Sequence, residues 1–390
     1  MSLIVRPVQS RADFEAFYAF PWRLYHDYPH WVPELPHIRR DTLNRQKSAA
    51  WEYLQGEYFV AWREGQPVGT LAAFVNPRHN SIHQENIGFF GCYETIADRA
   101  VSDALLQAGE DYLRGQGVTA MRGPANFTSN ESYGLLVENF EKTPTILMPY
   151  NPPYYADYLE AFGFQKAMDL YSWHFEQATV RQNVLESDGR TPTRKVRATQ
   201  RAIERAGIQV RTFNMRDKQA EFARIRQLYS AAWERNWGFV PLTDRELDEL
   251  VANLSFLLDP RYTYLATIGG EDVGFMMIIP NFNQVFQAVR PRAYSFLPLV
   301  LAKTFWHWKI RPKITSMRII LMGVKAGFRQ RGVDAAMCLR LAETFLADTH
   351  NQAVEASWVL ETNHDLNRLM ENFGGYVDCK HRLYQKELGG

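Results

Sequence analysis

Apolar and polar positions along this chain follow two rhythms, and the rhythms succeed one another in the same order in both halves. Alternating or continuous runs rich in β-branched and aromatic residues predict strands, whereas apolar positions three and four apart predict helices. In the first half LIVRPV (3–8) reads as a strand, 11–26 as helical, and YFVAWREGQPVGTLAAFVN (58–76) as a hairpin. NIGFFGCYE (86–94) is a strand, 98–115 a helix, VTAMRGPA (118–125) a strand, and YYADYLEAFGF (154–164) a short helix leading into the strand FQKAMDLYSWHF. In the second half GIQVRTFN (207–214) is a strand, 217–257 mostly helical, and YTYLATIGGEDVGFMMIIP (262–280) a hairpin turning at Gly-Gly-Glu-Asp. RIILMGV is a strand, 331–348 a helix, AVEASWVLE (353–361) a strand, 364–373 a helix, and YVDCKHRLYQKEL the last strand. The register β-α-β-β-β-α-β-α-β, met twice, predicts a duplicated α/β fold with mixed sheets. A polar stretch without clean apolar period, 178–206, predicts a partly helical joint between domains 1–177 and 207–390.

Bulk properties narrow the function classes. A chain of 390 residues with 46% hydrophobic content can bury two cores. A formal net charge of +1 gives no global attraction to nucleic acid, and none is expected as a partner. Cys92, Cys338 and Cys379 are few and far apart, which predicts a reducing compartment and no structural metal. MSLIVRPVQSRADFEAF places an arginine and acids where an export signal keeps an apolar run, so the expected location is cytoplasmic. SFLPLVLAKTFWHW (295–308) is the most apolar stretch, but Pro298 and Lys303 interrupt it and it falls short of the roughly 20 residues a bilayer crossing needs. Contact with the inner membrane would therefore be peripheral.

The chemistry concentrates in GVKAGFRQRGVDAAM (323–337), the end of a strand, a turn and the start of a helix. Unpaired N–H groups and the positive end of the dipole make a helix N-terminus an anion site. Gly327 allows the turn, Gly332 allows close backbone approach, and Arg329 and Arg331 add charge. Asp334 opposes this, because an acid in a first turn can satisfy the same donors. From Val273 through Val333 there is no Asp or Glu, while Arg290, Arg292, Lys303, Lys309, Arg311 and Lys313 stand among aromatic residues. Such segregated charge predicts an anionic ligand or surface.

These residues resemble those of the Gcn5-related N-acetyltransferase superfamily. Its cofactor motif, Arg or Gln, two residues, Gly, one residue, then Gly or Ala, is matched by Arg329-Gln330-Arg331-Gly332-Val333-Asp334 except at the last place. The whole chain, with GPANFTSNESYGLLVENF and MPYNPPYYADYLEAFGF in its first half, resembles a bacterial group carrying two such domains in tandem. The resemblance implies two acyl-CoA N-acyltransferase folds, the first degenerate, and acetyl-CoA or a longer acyl-CoA as co-substrate without a metal. It implies that backbone at Met322, Gly323 and Val324 holds the pantetheine arm beside the phosphate turn, with Asn363 among the cofactor contacts. The attacking amine then needs a base, for which Glu361 at the end of its strand is the expectation; the rival reading makes it a cap for the helix near His364. Family members often use a Tyr seven residues after an Asn as acid. From Asn363 the count reaches Met370, and from Asn151 it reaches Tyr158, which becomes the expected acid.

The loop NFTSNESYG is rich in side-chain donors and acceptors, which predicts a role in binding the acceptor. The acceptor is expected to be a small-molecule or lipid primary amine. The insertion of aromatic, aliphatic and basic residues at 281–315 suits peripheral contact with an anionic membrane, or else a packed helix. Two rivals stand beside this reading: aminoacyl transfer by a tandem relative of the fold, and an inactive pair of domains that binds CoA or a partner.

Overall fold

Ser10 starts the first helix because its side chain accepts the amide of Asp13 while Asp13 reaches back to the amide of Ser10, a reciprocal cap at 3.1 Å each way. In the computed structural model, which describes residues 2–128, 131–232, 236–255 and 257–389, the chain opens with β1 (Leu3–Pro7), α1 (Arg11–Leu24), α2 (Pro36–Leu43), β2 (Gln55–Arg63), β3 (Gln66–Val75) and α3 (Pro77–His83). There follow β4 (Ile87–Thr95), α4 (Arg99–Gly115), β5 (Ala120–Gly123), β6 (Leu135–Glu138), α5 (Tyr154–Ala161) and β7 (Gln165–Glu176). The second half runs α6 (Gln177–Val184), α7 (Arg194–Arg205), β8 (Ile208–Thr212), α8 (Lys218–Ala232), α9 (Asp244–Leu254), β9 (Thr263–Ile268) and β10 (Glu271–Pro280). It closes with α10 (Asn283–Val289), α11 (Leu297–Phe305), β11 (Ser316–Val324), α12 (Val333–Ala347), β12 (Ala353–Leu360), α13 (His364–Asn372) and β13 (Tyr376–Glu387). The strands and helices that the periodicity predicts form, α2, α3 and β6 add to them, and the fold is mixed α/β.

Two compact units form, and their borders differ from 1–177 and 207–390. The first comprises Met1–Leu170, Asn283–Lys313 and Cys379–Gly390; the second comprises Tyr171–Phe282 and Ile314–Asp378. In the first unit the strands lie in the order β1-β2-β3-β4-β5-β13, and in the second β7-β12-β11-β10-β9-β8. Each unit thus takes its sixth strand from the end of the other repeat. Tyr384, Gln385, Lys386 and Glu387 of β13 pair antiparallel with Gly123 back to Ala120. The expected joint at 178–206 is structured: α6 and α7 belong to the second unit, where Val180, Val184 and Val196 enter the core with Met337 and Phe345 of α12.

The insertion at 283–313 belongs to the first unit because α1 and its surroundings hold it. Tyr18 donates to the carbonyl of Ala293 at 2.7 Å, Trp22 Nε1 to Pro291 at 2.8 Å, and Asn283 to Pro144 at 2.9 Å. The first core has α4 over the sheet, with Val101, Leu105, Leu106 and Leu113 buried among Leu71, Phe90 and Met121. No helix among the described residues is long and apolar enough to cross a membrane.

Candidate functional site

In the second unit β11 pairs with β10 from Met317 to Val324, but with its parallel neighbour β12 only from Ser316↔Ala353 to Ile319↔Ala356. Beyond that point the parallel strands part. Met322, Gly323 and Val324 lie on this one-sided stretch, Gly323 buried and its two neighbours half-buried. The turn that follows is tightened by Phe328 N–H on the Lys325 carbonyl at 2.9 Å, and the chain passes through the left-handed region at Gln330 (φ 60°) and Gly332 (φ 87°). Gly332 is the N-cap of α12 and supplies no side-chain oxygen, which leaves backbone donors at the helix start. Asp334 takes one of them: its Oδ1 accepts the Ala335 amide at 2.9 Å. The turn therefore keeps an anion site's geometry with one donor already engaged and a negative charge at its edge.

The two arginines differ in what they do. Arg329 donates to the Ala232 carbonyl at the end of α8 and lies 3.5 Å from the Val324 carbonyl, so it fastens the turn to the unit. Arg331 is exposed and stacks over the Phe328 ring at 5.1 Å, which leaves its charge to solvent. Gln330 reaches Asp365 at 3.5 Å.

Glu361 follows β12 directly and is half-buried. The cap of α13 is Asn363, whose side chain accepts the Leu366 amide at 3.3 Å. Asn367 steadies the strand end by donating to the Leu360 carbonyl at 2.9 Å, and its oxygen accepts from Trp173 Nε1 at 2.9 Å. Glu355 and Ser357, on the same alternation as Glu361, serve the paired end of the strands. Ser357 Oγ donates to Glu355 at 2.7 Å and accepts from Arg318 Nε at 2.8 Å, all three residues being buried. Burial pulls the Arg318 guanidinium down to about 10, against the pull of Glu355. Met370 is a core residue.

At the corresponding place in the first unit the strands stay joined. After Ile87↔Ala120 to Phe89↔Arg122, Ala125 N–H donates to Phe90 and Asn126 Oδ1 accepts from Cys92 N–H at 2.9 Å. The approach needs glycine at 91, where a Cβ would stand 1.9 Å from the Ala125 oxygen. The N-terminus of α4 is capped by Asp98, which also binds Arg63 at 2.7 Å. The loop NFTSNESYG begins here, and its Ser129 and Asn130 lie outside the described residues.

This unit holds a site the sequence did not disclose. Tyr25 donates to Glu94 Oε2 at 2.7 Å, and Tyr155 donates to the same oxygen at 2.8 Å while accepting the Thr95 amide at 2.8 Å. Protein crowds Glu94 on all sides, yet it retains some exposed surface. That enclosure raises its carboxyl to about 7, with the two tyrosine bonds acting the other way. Burial beside Glu94 holds the Tyr25 and Tyr155 hydroxyls protonated. Tyr158, the expected acid, is half-buried with its ring against Tyr154 at 5.1 Å. On α5 it is Tyr155 that meets Glu94, and the available signal was a glutamate ending the apolar strand NIGFFGCYE. Beside Tyr25 lies a cavity of about 490 Å³, walled by Trp22, Tyr28 and Trp31 on one side and by Phe296, Leu299 and Val300 on the other.

No family model matches the chain. It is 30% identical over 390 residues to Protein YghO of Escherichia coli (strain K12), covering 99% of this chain and 95% of that protein. It is 31% identical over 391 residues to a bacterial ceramide synthase of Caulobacter vibrioides, covering 99% of this chain and 98% of that protein. Among solved structures, a tandem GNAT protein from the clavulanic acid biosynthesis pathway matches with a TM-score of 0.56 over 100% of this chain and 99% of that one, at 11% identity.

Proposed function

Since this chain belongs to the Gcn5-related N-acetyltransferase superfamily, in its tandem group, and is an acyltransferase by that kinship, we propose that it moves an acyl group from a CoA thioester to a primary amine. The observation that carries the reading is the parting of β11 and β12 after Ile319 and Ala356, with an arginine-glycine turn and an uncapped helix start at its end. Gly332, Val333 and Arg331 hold pyrophosphate, with Arg329 and Gln330 shaping the turn around it and Asp334 tempering its affinity. The thioester supplies an activated acyl carbonyl. Backbone N–H groups between Met322 and Val324 hold the arm and polarise that carbonyl. Glu361 accepts the proton of the attacking amine, from a strand end fixed by Asn363 and Asn367. The departing thiol has an ordinary pKa near 8.5 and leaves without a dedicated acid, so the reaction does not depend on Tyr158.

The first unit holds a second carboxyl suited to proton transfer, Glu94, which burial raises to about 7 and two tyrosine hydroxyls orient. The relative named a ceramide synthase supports a long-chain amino alcohol as acceptor. The test is release of free CoA from acetyl-CoA and palmitoyl-CoA in the presence of a soluble amine or a long-chain amino alcohol. Thiol release that depends on the long-chain amine supports the reading. Failure of CoA and both thioesters to raise the melting temperature, with no thiol release, defeats it.

A further inference from the structure

The insertion carries a surface that neither transfer chemistry nor packing uses. Seven large apolar residues are exposed within it: Phe296, Leu297, Leu299, Leu301, Phe305, Trp306 and Ile310, with Phe296 at 72% and Leu299 at 55%. Phe296 caps α11 and the others lie on α11 and on the π-helical turn Trp306–Ile310 that extends it, while Val300 faces inward at 4%. Water-soluble surfaces scatter such residues singly, so a contiguous set marks a docking face.

The charge around this face selects its occupant. Lys303, Arg311 and Lys313 have no acidic partner among the described residues, Lys309 lies over the Trp308 ring at 3.8 Å, and no Asp or Glu occurs between Val273 and Val333. A second copy docking on the same face would set cations against cations without a counter-charge. Rings at headgroup depth with lysines and arginines around them match the boundary of an anionic bilayer. We propose that the outward face of α11 and the turn after it seats this protein on an anionic membrane surface. Phe296 and Leu299 are both exposed and part of the cavity wall, so the cavity opens on the seated face and a single-chain amphiphile in the bilayer meets its mouth. The seating does not depend on the acyl-transfer reading.

The experiment is sedimentation of the full chain with vesicles of phosphatidylcholine alone or mixed with phosphatidylglycerol. The wild type is expected to sediment with the mixed vesicles at low salt and to be released as salt shortens the screening length. Lys309→Gln with Lys313→Gln should lower the partition about thirtyfold, and Phe305→Ser with Trp306→Ser should lower it at every salt concentration. Both double variants should keep the wild-type CoA-induced melting shift, which separates loss of seating from loss of fold or of transfer chemistry. Equal sedimentation with both vesicle types, variants that sediment like the wild type, or a dimer that the variants dissociate would each overturn the proposal.

Discussion

The hydroxyl of Tyr25 stands 2.7 Å from the Glu94 carboxylate, sixty-nine positions away along the chain, at the edge of a cavity that Tyr25 itself lines. A carboxyl raised from 4.5 to about 7 holds its proton more tightly in the folded chain than in the unfolded one. Its contribution to stability is complete below the unfolded value and is lost as pH rises through about 7. Wild type should therefore lose up to about 3 kcal/mol relative to Glu94→Gln between pH 4.5 and 8. Parallel denaturation curves for the two proteins across that range would contradict the assignment.

Glu361→Gln should lower turnover about 100-fold with CoA affinity unchanged, the scale of a lost general base. Because Asn363 supplies the cap of α13, this substitution leaves that cap in place. A wild-type rate would remove Glu361 from the reaction.

The turn predicts opposite effects for two neighbours. Arg331→Ala should weaken CoA about tenfold without altering stability, since its side chain only stacks on Phe328. Asp334→Ala should tighten CoA by freeing the Ala335 amide, while costing the helix about 0.3 to 1 kcal/mol. Arg329→Ala is a poorer probe because it also releases the Ala232 carbonyl. Calorimetric titration with CoA reads all three.

Arg318→Met should destabilise the fold by about 3 to 5 kcal/mol, because it strands Glu355 without its cation in the interior. Adding Glu355→Gln should recover part of that loss. Urea denaturation of the single and double variants gives the coupling directly.

What the sequence discloses depends on range. Hairpins such as 263–280 and helices such as 333–347 announce themselves because period and turn residues are local, and so did the glycine turn before α12. The exchange of last strands was hidden, since β7 and β13 carry the same alternation and only packing decides which neighbour each finds. Asn126 closing the first unit's strands and Tyr155 meeting Glu94 were hidden for a related reason: side-chain partners tens of residues apart leave no periodic mark. Arg329 looked like a ligand for phosphate, and its bond to Ala232 comes from a helix end nearly a hundred positions away.

Because β13 supplies the strand beside β5, the amino-terminal unit is completed only by residues 379–387, which follow β5 by the whole of the second repeat. Synthesis runs from the amino end, so while the second repeat is being made the β5 edge stays unpaired and open to wrong partners. A stop codon within β13 would then injure the half of the molecule that was made first.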